Sequence, residues 1–335
     1  MPMRQRVFIN GFGRIGRTLL HFLLLKQDEF EVVGINDLSE LDVLCHLFKY
    51  DSIHPRKVDC RAENDHLIIG NNQIPFFHYK NLEDLPHARL EVNLVFECTG
   101  RYKTNQDLMG HINSGAKRVI LSAPPSEGED IKTIVLGVNE DLLSADDVIV
   151  SNASCTTNSA AHLIQMMREL CDIESAYITT VHSYTGDQTL HDTPHKDFRR
   201  ARAAAQSIIP TTTGAAKALT RIFPDLNDKI GGCGIRVPVP DGSLTDITFV
   251  VKSSRSIDDI NNAFKQASLT RWKGLLEYTE DPIVSIDVIG NTHSALFDAQ
   301  LTSVIGKMVK VVAWYDNEVG YTNRLIDLAN YWRSI

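Results

Sequence analysis

Two short segments hold residue types suited to covalent chemistry. Ser151-Asn-Ala-Ser-Cys-Thr-Thr-Asn158 lies between a buried strand pattern and an amphipathic helix pattern. A cysteine at a helix start meets the positive end of the helix dipole, which favours thiolate and lowers the thiol pKa. Cys155 is therefore the candidate nucleophile, and the hydroxyls of Ser154, Thr156 and Thr157 add donors for an anion or for capping. Cys45, Cys60, Cys98, Cys171 and Cys233 read instead as inert buried thiols. A thiolate needs a base partner. His182 ends the run Thr179-Thr-Val-His and opens a polar loop, where an imidazole can shuttle a proton. With twelve histidines in the chain, pattern alone leaves that choice open. His191 and His195 are broken by Pro194 and lack a third ligand, so no metal site is expected.

A third segment points to a dinucleotide. Gly11-Phe-Gly13-Arg14-Ile15-Gly16 follows a strand pattern and opens a helix. Gly11 permits the tight turn, Gly13 lets backbone approach a pyrophosphate, and Gly16 allows helix and strand to pack closely. The helix N-terminus supplies amide donors. Asp37 ends the next strand, where it would accept from ribose hydroxyls and repel a 2′-phosphate, which favours NAD over NADP. Anion-binding residue types recur further on. Phe198-Arg-Arg200-Ala-Arg202 is a basic cluster, Thr211-Thr-Thr213-Gly214-Ala215 opens a helix pattern, and Arg236 precedes Val-Pro-Val-Pro. Arginine, hydroxyls and helix-start amides suit phosphate. For Arg199 and Arg202, a solvated loop or a subunit contact is the better reading.

The elements that must position these residues fall into two halves. At 335 residues the chain suits two domains. Val7–Ile9, Val32–Ile35, Leu94–Phe96, Arg118–Leu121 and Val148–Val150 are continuous apolar runs alternating with helical patterns, so an α/β parallel sheet is expected. Past Ser151 a helix carries Leu163, Met166, Met167 and Leu170 on one face. Longer alternating runs follow at Ala176–His182, Asp246–Lys252, Val284–Val288, Ser294–Asp298 and Met308–Trp314. They predict an α+β domain with a mostly antiparallel or mixed sheet. The domains are placed at 1–150 and 151–316, with a helix in 317–335 returning to the first. Gly186–Pro210 is a long polar excursion of the kind that carries function.

Composition narrows the class. Hydrophobic residues make up 43% and charged residues 23%, ordinary for a globular protein, and the net charge is −8. Nucleic acid is thus not expected as the main partner. Within Met1–Arg6 and the short apolar run that follows there is no signal-peptide pattern, and no apolar run reaches membrane-span length. Scattered cysteines without a CxxC pair read as reduced thiols, hence a cytoplasmic location.

The chain resembles the glyceraldehyde-3-phosphate dehydrogenase family. The resemblance rests on Ile9-Asn-Gly-Phe-Gly-Arg-Ile-Gly-Arg17, the Cys155 octapeptide, the run from His195 to Pro210, Thr211-Thr-Thr-Gly-Ala-Ala-Lys217 and Trp314-Tyr-Asp-Asn-Glu318. It implies a Rossmann-type NAD-binding domain, a catalytic domain and a homotetramer. It makes Cys155 the nucleophile and His182 its activator. Arg14, Ile15, Asp37, Ser122 and Asn317 match positions that hold NAD, and Lys80 falls near another. Ser154, Thr156, Thr185, Arg200, Thr213, Gly214 and Arg236 match positions for the phosphate of glyceraldehyde 3-phosphate or for inorganic phosphate, with Asp187 supporting them. Two departures stand out. Ser159 replaces a cysteine common in the family, which removes one route to an intramolecular disulfide. Thr193 replaces a leucine common in NAD-using members. The alternatives within this resemblance are an erythrose-4-phosphate dehydrogenase and an NADP-using gluconeogenic relative.

Overall fold

The computed structural model describes residues 4–55 and 58–335, so residues 1–3 of the segment read for targeting signals lie outside it. The chain divides into two units. The first runs to Ile134, resumes over Glu140–Ala153 and takes the last residues, Thr322–Ile335. The second comprises Val135–Asn139 and Ser154–Tyr321. The breaks thus fall at Ser154 and Thr322, where the sequence pattern placed them at 151 and 317. Ser151 still ends a strand of the first sheet, and Asn317 is hydrogen-bonded to Ser183 and Ser243 of the second unit.

The first unit contains β1 (Gln5–Asn10), α1 (Arg14–Leu24), β2 (Phe30–Asn36), α2 (Leu41–Lys49), β3 (Cys60–Glu63), β4 (His66–Ile69), β5 (Asn72–Phe77), β6 (Leu94–Glu97), α3 (Asn105–Asn113), β7 (Arg118–Leu121), β8 (Lys132–Thr133) and β9 (Ile149–Ser151). Its sheet runs β3-β4-β5-β2-β1-β6-β7-β9-β8. From β5 to β8 every pairing is parallel, while β3, β4 and β5 pair antiparallel. Val7, Phe8, Ile9 and all of β6 are buried, as strands covered on both faces must be. The strand order reverses between β1 and β6. In a doubly wound sheet that is where a crevice opens at the carboxyl ends of the strands. The β3–β5 meander was not anticipated, because its strands are short and interrupted by polar residues.

The second unit contains α4 (Cys155–Cys171), β10 (Ile173–Ser183), β11 (Ile209–Thr211), α5 (Ala215–Ile222), β12 (Ile230–Val237), β13 (Ser243–Val251), α6 (Ile257–Leu269), β14 (Leu276–Thr279), β15 (Ala295–Asp298), β16 (Ser303–Ile305) and β17 (Met308–Tyr315). The last helix, α7 (Val319–Ser334), begins here and continues into the residues of the first unit. The sheet runs β11-β12-β10-β13-β17-β15-β14 and is mixed, with β10–β12 and β14–β15 parallel and the other pairings antiparallel. Helix α4 packs on β13 and β17; its Leu163, Ile164, Met166 and Met167 are buried, and Ile247, Phe249 and Val311 of the two strands are fully so. Val284–Val288 is not the expected strand. The Asp287 carboxylate accepts from Val284 N at 2.8 Å and closes a short 3-10 turn over Ser285–Val288.

Candidate active site

Cys155 is the first residue of α4, as its pattern required. Ser154 caps that helix, its Oγ accepting from Thr157 N at 3.1 Å. Two residues before Cys155, Ala153 holds a φ of 58°. That conformation costs a non-glycine residue about 1–2 kcal/mol, so packing must hold it in place. The Cys155 Sγ lies 3.5 Å from His182 Nε2. His182 sits near the end of β10. The parallel register of β10 and β12 sets it opposite Arg236.

The proton inventory of this pair follows from its surroundings. Burial pushes the Cys155 thiol up, to about 11, against the Arg236 charge and the Thr156 hydrogen bonds that pull it down. Burial, reinforced by Arg236, pushes the imidazole down, to about 3. Both shifts disfavour charge on the pair. The low thiol pKa expected from the helix dipole is outweighed by desolvation. His182 Nδ1 faces two partners: Ser183 O at 2.8 Å, which accepts, and Arg236 Nη1 at 2.5 Å, which donates. One tautomer satisfies one of them. A proton on Nδ1 goes to Ser183 O and leaves the Nε2 lone pair facing sulfur. A bare Nδ1 accepts from Arg236 and puts the proton on Nε2.

Tyr315 has a positioning role that the sequence reading missed, although its Trp-Tyr-Asp-Asn-Glu run was noted. Its hydroxyl lies 2.9 Å from Thr156 Oγ1 and 2.9 Å from Thr180 Oγ1, and its ring meets the His182 ring edge to face. It thereby ties the first turn of α4 to β10. The Thr156 side chain is buried and engaged with Tyr315, so its hydroxyl serves this tie in the present arrangement.

The other anion-binding candidates group around Asp187. Arg200 Nη1 donates to Asp187 at 2.6 Å, its Nε to Thr211 Oγ1 at 2.9 Å and its Nη2 to Thr212 O at 3.3 Å, while Thr185 donates to the same Asp187 carboxylate. Burial raises the Asp187 carboxyl. The Thr185 hydroxyl and the Arg236 and Arg200 charges outweigh that and hold it below the ordinary range. The Arg200 and Arg236 charges both bear on Asp187, and Arg200 also lies 3.7 Å from Asp197, so an incoming anion would compete with these carboxylates for the guanidiniums. Thr213 accepts from Ala215 N at 3.2 Å at the start of α5, and a Cβ on Gly214 would meet nothing within 4 Å. Arg202 is paired with Asp192 on the exposed loop, in keeping with its reading as a loop charge.

In the first unit, the turn after β1 is built around its glycines. Gly11 has a φ of 94°, and a Cβ there would come within 2.6 Å of Thr99 N. A Cβ on Gly16 would come within 2.1 Å of Gly11 O. By contrast a Cβ on Gly13 would meet nothing within 4 Å, so the chain passes an open space at the start of α1. Among the described residues no side chain caps that helix, and its first turn has no acidic residue, which suits a pyrophosphate. A groove of about 270 Å³ opens there, lined by Gly11, Gly13, Asp37, Lys80, Thr99 and others. Asp37 is held by Phe12 N at 2.8 Å and Ser39 N at 2.9 Å, one on each carboxylate oxygen. Remaining lone pairs on each oxygen can accept from a ribose. These donors and acceptors fit a dinucleotide.

The other cofactor candidates are less uniform. Ile15 is half-buried on the first turn of α1. Arg14 turns to Asp51, at 2.9 Å. Ser122 follows β7 and donates its amide to Glu97 O at 3.0 Å. Asn317 belongs to the second unit, where its Oδ1 accepts from Ser183 and Ser243, each at 2.8 Å. Asn10 and Thr99 line the groove and were missed. Both donate to the buried Glu97 carboxylate at the end of β6, Asn10 at 2.5 Å.

Comparison with known proteins agrees with this geometry. Residues 5–105 match a family model described as the NAD binding domain of glyceraldehyde 3-phosphate dehydrogenase, and residues 154–317 match its C-terminal domain. Relatives include the glyceraldehyde-3-phosphate dehydrogenase of Mycobacterium avium, 47% identical over 97% of this chain and 98% of its own. Glyceraldehyde-3-phosphate dehydrogenase 2 of Bacillus subtilis is 46% identical over 98% of this chain and 97% of its own. The Geobacillus stearothermophilus enzyme is 46% identical over 98% of each chain. With the glycine turn, Asp37 and the Cys155–His182 pair each in place, the chain belongs to the glyceraldehyde-3-phosphate dehydrogenase family of NAD-dependent oxidoreductases.

Proposed function

We propose that the protein oxidises glyceraldehyde 3-phosphate with inorganic phosphate to 1,3-bisphosphoglycerate, through a thioester on Cys155. The observation that carries this is the 3.5 Å approach of Cys155 Sγ to His182 Nε2 at the start of α4. As sulfur attacks the aldehyde carbon, Nε2 takes the thiol proton and returns it to the carbonyl oxygen, giving a thiohemiacetal. Nε2 then takes the hydroxyl proton as hydride leaves carbon, and a thioester remains. Bound NAD supplies the acceptor for that hydride. Phosphate attacks the thioester, and the thiol is released as the acyl phosphate forms. Asp37 and the backbone at Gly11 to Gly16 would hold the cofactor, with Lys80 at the groove rim.

Arg236 has a second part in this scheme. An anion that draws its guanidinium off His182 Nδ1 leaves Ser183 O as the partner of that nitrogen. The proton then stays on Nδ1, and Nε2 is free to act as base. Ser154, Thr156, Thr185, Arg200, Thr213, Gly214 and Arg236 are the residues proposed for the two phosphates, with Asp187 supporting them. A cytoplasmic homotetramer belongs to the same proposal and rests on the family resemblance.

The test is NADH formation from glyceraldehyde 3-phosphate with and without inorganic phosphate, repeated with erythrose 4-phosphate. Turnover on the triose that depends on phosphate supports the proposal. Turnover mainly on the tetrose, or independent of phosphate, would refute it while leaving the nucleophile in place.

A further inference from the structure

Two sulfurs outside the catalytic pair are in contact. Cys45, on α2, and Cys60, the first residue of β3, have Sγ atoms 3.1 Å apart, and both residues are buried. Cys60 Sγ also lies 3.3 Å from Cys45 O, so the two side chains are directed at each other. A disulfide has an S–S length of about 2.05 Å, so closure needs an approach of only about 1 Å. The fold allows it, because β3 is the edge strand of its sheet and is paired on one side, to β4. We propose that Cys45 and Cys60 form a reversible disulfide when the protein meets a peroxide, a redox site distinct from Cys155. Residue 159, one helical turn beyond Cys155, is serine, so the catalytic cysteine has no such neighbour there.

The chemistry balances with a peroxide as oxidant. One thiolate attacks a peroxide oxygen; the S–O bond forms, the O–O bond breaks and water leaves. The second sulfur attacks the sulfenic sulfur; the S–S bond forms, the S–O bond breaks and a second water leaves. Two thiols thus give two electrons and two protons to one peroxide. A small oxidant is required because both sulfurs are shielded.

The link would close the segment between α2 and β3. That segment carries Asp51, whose carboxylate holds Arg14 on the first turn of α1 at 2.9 Å. Closing a loop of this size restricts the unfolded chain, and the melting temperature of the oxidised protein should rise by roughly 5–10 °C.

The experiment treats the whole protein with hydrogen peroxide, unfolds it, alkylates the remaining thiols and maps them by mass spectrometry. The expected product is a cross-linked peptide pair joining residues 45 and 60, lighter by two hydrogens and restored by a thiol reductant. Cys45→Ser treated in the same way should leave Cys60 alkylated and should not gain thermal stability. The proposal is overturned if Cys45 and Cys60 both remain alkylatable once Cys155 is fully oxidised, or if either is found linked to another cysteine. The wild-type map decides the matter even if the variant fails to fold.

Discussion

His182→Asn removes the proposed proton acceptor beside Cys155 and leaves the proposed nucleophile in place. The effect follows from the thiol. Burial holds it at about 11. A thiol held in its neutral form attacks an aldehyde poorly unless a neighbouring group takes its proton. Turnover should fall by about 10²–10⁴, the usual range for general-base catalysis, equivalent to about 3–5 kcal/mol. The pH dependence is more diagnostic than the loss itself. In the variant, rising pH must deprotonate the thiol directly. Its rate should climb with pH from about pH 8 by up to tenfold per unit, more steeply than that of the parent enzyme, in which His182 can take the proton. The assays are the first-turnover burst of NADH and the rate of Cys155 alkylation by iodoacetamide, each against pH. A melting curve would control for loss of the ring contact with Tyr315. The reasoning fails if the variant stays within about threefold of the parent at about pH 8, or if its alkylation rate does not change with pH.

Two further outcomes are expected. Asp37→Asn removes the charge that would reject a 2′-phosphate and weakens acceptance from the ribose, so NAD should bind about 10- to 100-fold more weakly and the ratio of NADP to NAD affinity should rise; titration of both nucleotides checks this, and an unchanged ratio would count against the role of Asp37. Burial raises the Asp51 carboxyl, but the His54 and Ile53 amides and the Arg14 guanidinium outweigh it and hold the group at about 2, below the ordinary 3.8. Its folded pKa is depressed, so the stabilisation is complete above the unfolded value and is lost as pH falls through about 2. It amounts to about 2 kcal/mol. Asp51→Asn should therefore melt several degrees lower near neutral pH, with the gap closing between about pH 4 and 2; a gap that persists unchanged through that window would show the stabilisation is not ionic.

Much of this protein was legible in the chain because it depends on local spacing. The glycines at 11, 13 and 16 stand between a strand pattern and a helix pattern, and Asp37 ends the next strand. Cys155 opens an apolar helical repeat. These signals span a few residues each and survive without tertiary contacts. The β12 strand was not legible, since Gly231, Gly232 and Gly234 weaken any strand pattern and only pairing to β10 and β11 holds it extended. Val284–Val288 was misread because alternation also occurs in a turn closed by a side chain, here Asp287.

What the tertiary structure alone decided is the surroundings of the Cys155–His182 pair. Cys155 and His182 were both named from the sequence, but their 3.5 Å separation depends on packing α4 over the sheet. The position of Arg236 beside the imidazole comes from the register of β10 with β12. Tyr315 joins α4 to β10 from a strand more than a hundred residues further along the chain. Burial reverses the direction expected for the thiol pKa, because desolvation depends on everything packed around the sulfur, whereas the helix dipole depends on one turn. Residue types and their spacing thus determined which chemistry is available, and long-range packing determined which of those residues meet and how far each is desolvated.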